Sequence, residues 1–354
     1  MTLACARGES GATAASSRGS TSNAAASIAA AAPTTSVTAA TSVHAPPPGH
    51  TLLFVSNEWS HDVTVVDAVT RRVIATIPVG ARVRGIEVSP DKKRVYAALT
   101  EDTPKARTHH AAIAVIDVPT LRMVDRLPAG TDPERIAISP DGRTLYVSNE
   151  DAGAASVIDI AARKVVATDV VGIEPEGVVI SPDGRLVYVT AETSSNVSVL
   201  DTRNDSVVTM FLVDSRPRSA IFSPDGKRAW VTAEAGGTVS AVDVARSAVT
   251  ARLRIGDGTT RPVGIVVSPD GRMLYVTNGH ASAVSVIDAR AFRVVATIPV
   301  GKRPWGIALT RDGRTLFTAD GPSNQISIID TGSRTVVATV PVGTRPWGVA
   351  LLEP

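Results

Sequence analysis

The side chains with the means to do chemistry recur at three positions. Just before seven short Val/Ile-rich runs stand Arg345, Arg82, Asp132, Glu174, Arg216, Arg261 and Arg303. Two residues further on stand Trp347, Arg84, Glu134, Glu176, Arg218, Val263 and Trp305. After the next apolar run come Glu58, Thr100, Glu150, Glu192, Glu234, Gly279 and Gly321. An arginine is a rigid fork that grips a carboxylate through two bonds, and a tryptophan offers a flat apolar face. Two readings follow. Charges interleaved at repeat positions can pair and hold the repeats together, or several arginines can face one opening and receive an anionic ligand. Likewise Trp59, Trp305 and Trp347, in a chain with 4% aromatic residues, can pack a seam or form a platform for a flat ligand or a partner's side chain.

Other chemistry finds less support. His61, His109, His110 and His280 could serve zinc or copper together with Glu58 or Glu101, but they lack tight ligand spacing, so no metal is expected. The single cysteine, Cys5, lies far from the repeats, and no Gly-x-Ser-x-Gly elbow or Ser/His/acid grouping stands out. Nucleophilic catalysis is therefore not expected.

The elements that must position these residues follow from the repeat. Residues 261–301 hold four Val/Ile-rich runs, GIVV, MLYVTN, VSVID and VVATIPVG, separated by Ser-Pro-Asp-Gly and Asp-x-x-x-x-x-Val turns. The third run ends at Asp67, Asp117, Asp159, Asp201, Asp243, Asp288 and Asp330, in steps of 50, 42, 42, 42, 45 and 42 residues. Four strands per unit at that period mark a β-propeller blade, and the count predicts an all-β, seven-bladed propeller of four-stranded antiparallel blades. The turn aspartate occurs only six times, at Asp91, Asp141, Asp183, Asp225, Asp270 and Asp312, because the chain ends cut one blade open. Joining Gly348-Val349-Ala350-Leu351 to Leu53-Phe54-Val55-Ser56-Asn57 closes the ring with one C-terminal and three N-terminal strands. The long steps predict insertions, TEDTPKARTHHAA in blade two and GDGTT before blade six. Lys92 stands where the other turns carry glycine, which predicts mild strain, and Trp230, where other blades have tyrosine, should be core. In a four-stranded meander the three recurring positions emerge on one face, so that face carries whatever is particular to this chain.

Composition limits the partners. Lys+Arg 36 against Asp+Glu 34 leaves a formal charge of +2, and the ring of glutamates would repel phosphates, so a single-stranded nucleic acid is a poor candidate despite the aromatic and arginine content. No apolar run reaches the roughly 18 residues of a membrane span. Met1–His50 is Ala/Ser/Thr-rich, ends in Pro46-Pro47-Pro48 and has only Arg7, Glu9 and Arg18 as charges, which predicts a disordered tether before a propeller over 51–354. Thr2-Leu3-Ala4-Cys5 resembles the end of a bacterial lipoprotein signal, although the basic and apolar regions of a signal are missing. A lipid on Cys5 would tie the protein to the periplasmic or outer envelope; without a signal it would be cytoplasmic.

The units LYVSN, VYVTA and LYVTN, followed by S-V-I-D and V-V-A-T-I-P-V-G, resemble the YVTN-type β-propeller repeat family over Thr51 to Pro354. The series VSNE, PERIAISPDG, SNED, EPEGVVISPDG, SRPRSAIFSPDG, VTAEAGGTVSAVD and RPWGV looks like the propellers associated with pyrroloquinoline-quinone-dependent alcohol catabolism. That resemblance implies a periplasmic accessory protein, a quinone-dependent dehydrogenase or cytochrome system as protein partner, and the quinone only by association. The expectation is a monomeric, non-catalytic binding or scaffold module. It would use Trp59, Trp305, Trp347 and the Arg/Glu rings for a partner or small ligand. The alternative is a lactonase-like hydrolase, by analogy with other seven-bladed propellers, in which His280, Arg303 and Glu58 supply the reacting groups around the channel.

Overall fold

The computed structural model describes residues 47–100 and 111–354. The expected tether over residues 1–46, with Cys5, and the heart of the blade-two insertion, with Glu101, His109 and His110, lie outside the described residues.

Seven four-stranded antiparallel sheets form, each in sequence order from the inner to the outer strand except the one that closes the ring. In that blade the C-terminal strand Pro346–Leu352 pairs with Leu52–Asn57, which continues into Asp62–Asp67 and Arg72–Pro78. The closing register sets Leu52 against Leu352, Phe54 against Ala350 and Ser56 against Gly348. The last repeat's orphan strand thus finds the first repeat's vacant edge, as the sequence requires. This is blade one, and the others follow in chain order.

Second and third strands are buried almost throughout, polar residues such as Ser148 and Asn149 included, because each blade is sandwiched between two neighbours. Thr144–Asn149 and Ala154–Asp159 are buried at nearly every residue. Outer strands alternate instead, as in Thr335–Pro341, since one of their faces meets solvent. Side chains from facing blades fill the gaps: Tyr96 and Ile113 of blade two pack with Leu145 and Val147 of blade three. Trp230 is fully buried against Leu274 and Val276 of the next blade, as its position predicted.

The turns repeat one hydrogen-bond scheme. The hydroxyls of Ser89, Ser139, Ser181, Ser223 and Ser268 each donate to the aspartate two residues on at 2.6 Å. Those aspartates also accept a backbone N–H, and the donors hold their carboxyls below the usual range. Lys92 adopts φ 61, the left-handed conformation that the missing glycine foretold. Among the described residues the single helical element is the turn Gly321–Ser323, and no helix is long and apolar enough to cross a membrane.

Candidate functional site

The mouth is built on strained backbone. Asp132, Glu174, Arg216, Arg261, Arg303 and Arg345 all have φ between 47 and 65, and each precedes the proline that opens an inner strand. Such a conformation is costly for residues with a Cβ and persists only where the surroundings impose it. In five of these six blades, all but that of Arg303, a backbone bond fixes it. Glu58 N–H donates to the Arg345 carbonyl at 2.9 Å, Glu150 to Asp132 at 3.0 Å, Glu192 to Glu174 at 2.9 Å and Glu234 to Arg216 at 2.8 Å. Two of the three recurring positions are therefore locked side by side on the face the sequence assigned them.

From blade two to blade six the side chains satisfy one another. Arg82 and Arg84 both hold Glu58, Arg84 at 3.1 Å, and Arg84 also contacts Glu134 and reaches Glu150 at 3.5 Å. Arg218 touches Glu176 and Glu192 of blade four and Glu234 of its own blade at 2.7 Å. Arg216 contacts Glu192 and lies 3.9 Å from Glu234, which Arg261 approaches at 3.6 Å. Glu134, Glu176, Glu192, Glu234 and Arg218 are buried. For these residues inter-blade pairing describes what the structure places together.

Blades seven and one differ. Among the described residues no carboxylate lies within ion-pair distance of Arg303 or Arg345; Arg303 sits 5.2 Å from the Trp305 ring centre and Arg345 4.1 Å from that of Trp59. The Arg345 Nε is buried without a hydrogen-bond partner. Trp305 stacks on Trp347 with centroids 5.9 Å apart and planes 19° from parallel, while Arg135 covers Trp347 at 4.6 Å and Arg218 lies 4.9 Å from Trp305. Trp347 is only 4% exposed, so it packs the seam and is no open platform. Trp59, at 58% exposed, is open to solvent.

These groups surround one cavity of about 360 Å³, lined on one side by Glu58, Arg84 and Glu150 and on the other by Trp59, Arg303, Trp305 and Arg345. Burial opposes ionisation of Glu58, but Arg84 and Arg82 outweigh it and hold the carboxyl below its ordinary range. Asp132 is pushed up to about 7 by burial, with Glu150 and Asp151 adding to the shift and Arg84 opposing it. Burial and Glu176 raise Glu150, which shares a hydrogen bond with Asp132. Burial and the Glu176 carboxyl push Glu192 up to about 8, against Arg218 and Arg216. The mouth thus holds carboxyls able to take or give a proton near neutral pH.

Of the candidate histidines, His61 and His280 are among the described residues, and neither lines this cavity. His280 lines a separate cavity with Asp257, Thr259 and Thr260 and not the one lined by Glu58 and Arg303, so the expected three are not gathered in one cavity. His61 occupies a hairpin position with φ 57, where its carbonyl accepts from Val79 and Gly80. Among the described residues the side chains close enough to share a metal ion are Asp132, Glu134 and Glu150, without a histidine, and Arg84 already supplies positive charge to Glu134 and Glu150.

Two residues of the central region escaped the ring pattern. Arg135 stands where the other blades carry Gly85, Gly177, Ser219, Gly264, Gly306 and Gly348. At Gly306 a Cβ would come within 2.6 Å of the Trp347 carbonyl, which explains why small residues rule there. Glu87 stands where the others carry Ala137, Val179, Ile221, Val266, Ala308 and Ala350; its side chain is exposed to solvent inside the ring, where the surrounding protein favours the protonated carboxyl and Arg135 opposes that shift. Comparing each repeat with the others would have exposed both.

The family model described as a 7-bladed beta-propeller lactonase matches residues 207–339, and that of the YNCE-like beta-propellers matches residues 103–184. No curated protein matches the chain. Among solved structures it is similar to hydrazine synthase of Kuenenia stuttgartiensis, with 27% identity, a TM-score of 0.71, and coverage of 81% of this chain and 96% of that one. A candidate 6-phosphogluconolactonase of Bacteroides fragilis shares 19% identity at a TM-score of 0.71, covering 87% of this chain and 100% of its own. A protein of Desulfotomaculum acetoxidans of unknown function shares 17% identity at a TM-score of 0.74, covering 86% and 99%. The last two likenesses speak for the fold alone.

Proposed function

We propose that the mouth cavity binds a cyclic ester and hydrolyses it, as a lactonase does. The observation that carries this reading is the polarity of one cavity: Arg303 and Arg345, free of carboxylates among the described residues, face Glu150, a carboxyl raised by burial and by Glu176. The ring of the substrate lies against Trp59 and the edge of Trp305. The two guanidinium groups polarise the ester carbonyl and stabilise the oxyanion that forms when water adds. Glu150, backed by Asp132, takes the proton of that water, and the proton goes to the ring oxygen as the C–O bond breaks. The product hydroxy acid carries a carboxylate that the same arginines hold.

The lactonase match over residues 207–339 supports this assignment, since that stretch contributes Arg216, Arg218, Arg261, Arg303 and Trp305 to the mouth. Nothing in the geometry favours a quinone. The test is proton release by the purified full chain, followed in a pH-stat, over a panel of five- and six-membered lactones. Turnover at least about 100-fold above the spontaneous rate supports the reading. Binding of the hydroxy acids without any turnover would leave the mouth as a ligand-binding site and the hydrolase wrong.

A further inference from the structure

The near-zero formal charge of the chain hides a division between its two faces. The face opposite the mouth is made of the turns that join first to second strands and third to fourth. Bonds such as Ile160 N–H to the Arg143 carbonyl and Thr202 N–H to that of Arg185, both 3.0 Å, tie the two kinds of turn together in each blade. Over these turns and Glu353, 20 lysines and arginines stand against 15 aspartates and glutamates, while the other described residues carry 12 against 16. Exposure sharpens the difference. The strand-ending aspartates are tucked into their turns and the arginines beside them point outward: the Asp201 side chain is 11% exposed and Arg203 70%, Asp243 27% and Arg246 79%. Arg143 and Arg272, which follow Ser-Pro-Asp-Gly turns, are 84% and 82% exposed. Every blade contributes at least one such cation, so they cover the disc and do not line a groove. The described chain also begins here, since the Thr51 carbonyl accepts the N–H of Ala68 at 2.9 Å, the same bond that Arg143 and Ile160 make in blade three.

We propose that this basic face docks the protein on an anionic bilayer surface and leaves the mouth turned to the water. A plane of lipid headgroups presents negative charge in two dimensions, which cations spread over a disc match. A nucleic-acid strand needs a basic track with aromatic rings to stack its bases. Trp59, the exposed indole, lies on the mouth face, and Trp230 is buried. Chain entry points the same way: a lipid on Cys5 would draw this face, and not the mouth, toward the membrane. The docking depends neither on that lipid nor on what the mouth binds.

Flotation of the full chain with phosphatidylcholine vesicles, alone or with about 30% phosphatidylglycerol, tests this. The parent chain carries Cys5→Ser, so that no attached lipid contributes. Its comparison adds Arg143→Gln, Arg185→Gln, Arg272→Gln and Arg314→Gln, whose side chains are exposed and whose carbonyls hold the turns. The parent is expected to float with the anionic vesicles only, and to be released as NaCl rises from about 20 to about 300 mM. The fourfold variant should partition at least about 100-fold more weakly, with an unchanged urea melt. A parent that stays off the anionic vesicles at about 20 mM NaCl overturns the proposal. So does a variant that floats as the parent does, or a parent that binds single-stranded oligothymidine as tightly as it binds the vesicles.

Discussion

The indole of Trp347 stacks on that of Trp305, centroids 5.9 Å apart, and thereby welds the last complete blade to the one closed by the two chain ends. With Arg135 over it as well and only 4% of its surface exposed, Trp347 is a structural residue. Trp347→Ala should therefore cost about 3–5 kcal/mol in urea unfolding. Trp59→Ala, at an exposed indole, should leave the melt within about 0.5 kcal/mol and weaken ligand binding. Equal stability losses for the two would refute this division of roles.

The arginines divide in the same way. Arg218→Ala would leave Glu176, Glu192 and Glu234 buried around a missing cation, at a cost of roughly 3–5 kcal/mol. Arg303→Ala with Arg345→Ala strands no carboxylate among the described residues, so stability should change little. Binding of a hydroxy acid, followed by tryptophan fluorescence, should weaken by at least about 10-fold, the loss expected from one charge-assisted contact of roughly 1.5 kcal/mol. Wild-type affinity in that double variant would place the anion elsewhere.

Stability should respond to pH through the raised carboxyls. Asp132 and Glu192 sit near 7 and 8 in the folded chain against ordinary values of 3.8 and 4.5. Each binds its proton more tightly when folded, so its contribution is complete below its unfolded value and drains away as pH rises through its folded one. Denaturation midpoints should fall from about pH 4 to about pH 8 on this account, and Glu192→Gln should flatten the upper part of that slope. An unchanged slope in the variant would show that Glu192 is ionised throughout.

Lys92 carries positive φ in a turn where its counterparts are glycines. Lys92→Gly should stabilise the fold by about 1 kcal/mol, read from chemical denaturation. A loss of stability would mean that the bond from its Nζ to the Pro354 carbonyl at 2.7 Å outweighs the strain.

Most of the architecture was legible because the repeat is written in turn chemistry. The Ser-Pro-Asp-Gly turns and the strand-ending aspartates count the blades, and the orphan strand after Arg345 fixes the closure. The rings around the mouth were legible for the same reason, since Arg303 and Glu234 stand at fixed offsets from strands. What the repeat cannot say is which ring members meet. Arg218 reaches three glutamates on two blades while Arg303 reaches none among the described residues, a distinction set by side-chain reach across the ring. Trp347 is covered by Arg135, a residue outside the ring pattern, so its burial could not be read from its own position. His280 shares a face with Glu58 but lines another cavity, together with Asp257, Thr259 and Thr260 of the insertion before blade six.

The central claim is that Glu150 is the base of a hydrolytic site, and it rests most directly on Glu150→Gln. Lactone turnover and hydroxy-acid binding would be measured on the variant and the wild type from pH 5 to 9. The account predicts that the wild-type rate rises through about pH 7 as the Asp132–Glu150 pair gives up its shared proton. The variant should bind normally and turn over at least about 100-fold more slowly. A variant that hydrolyses lactones at the wild-type rate, or a wild type whose rate ignores pH across that range, would contradict it.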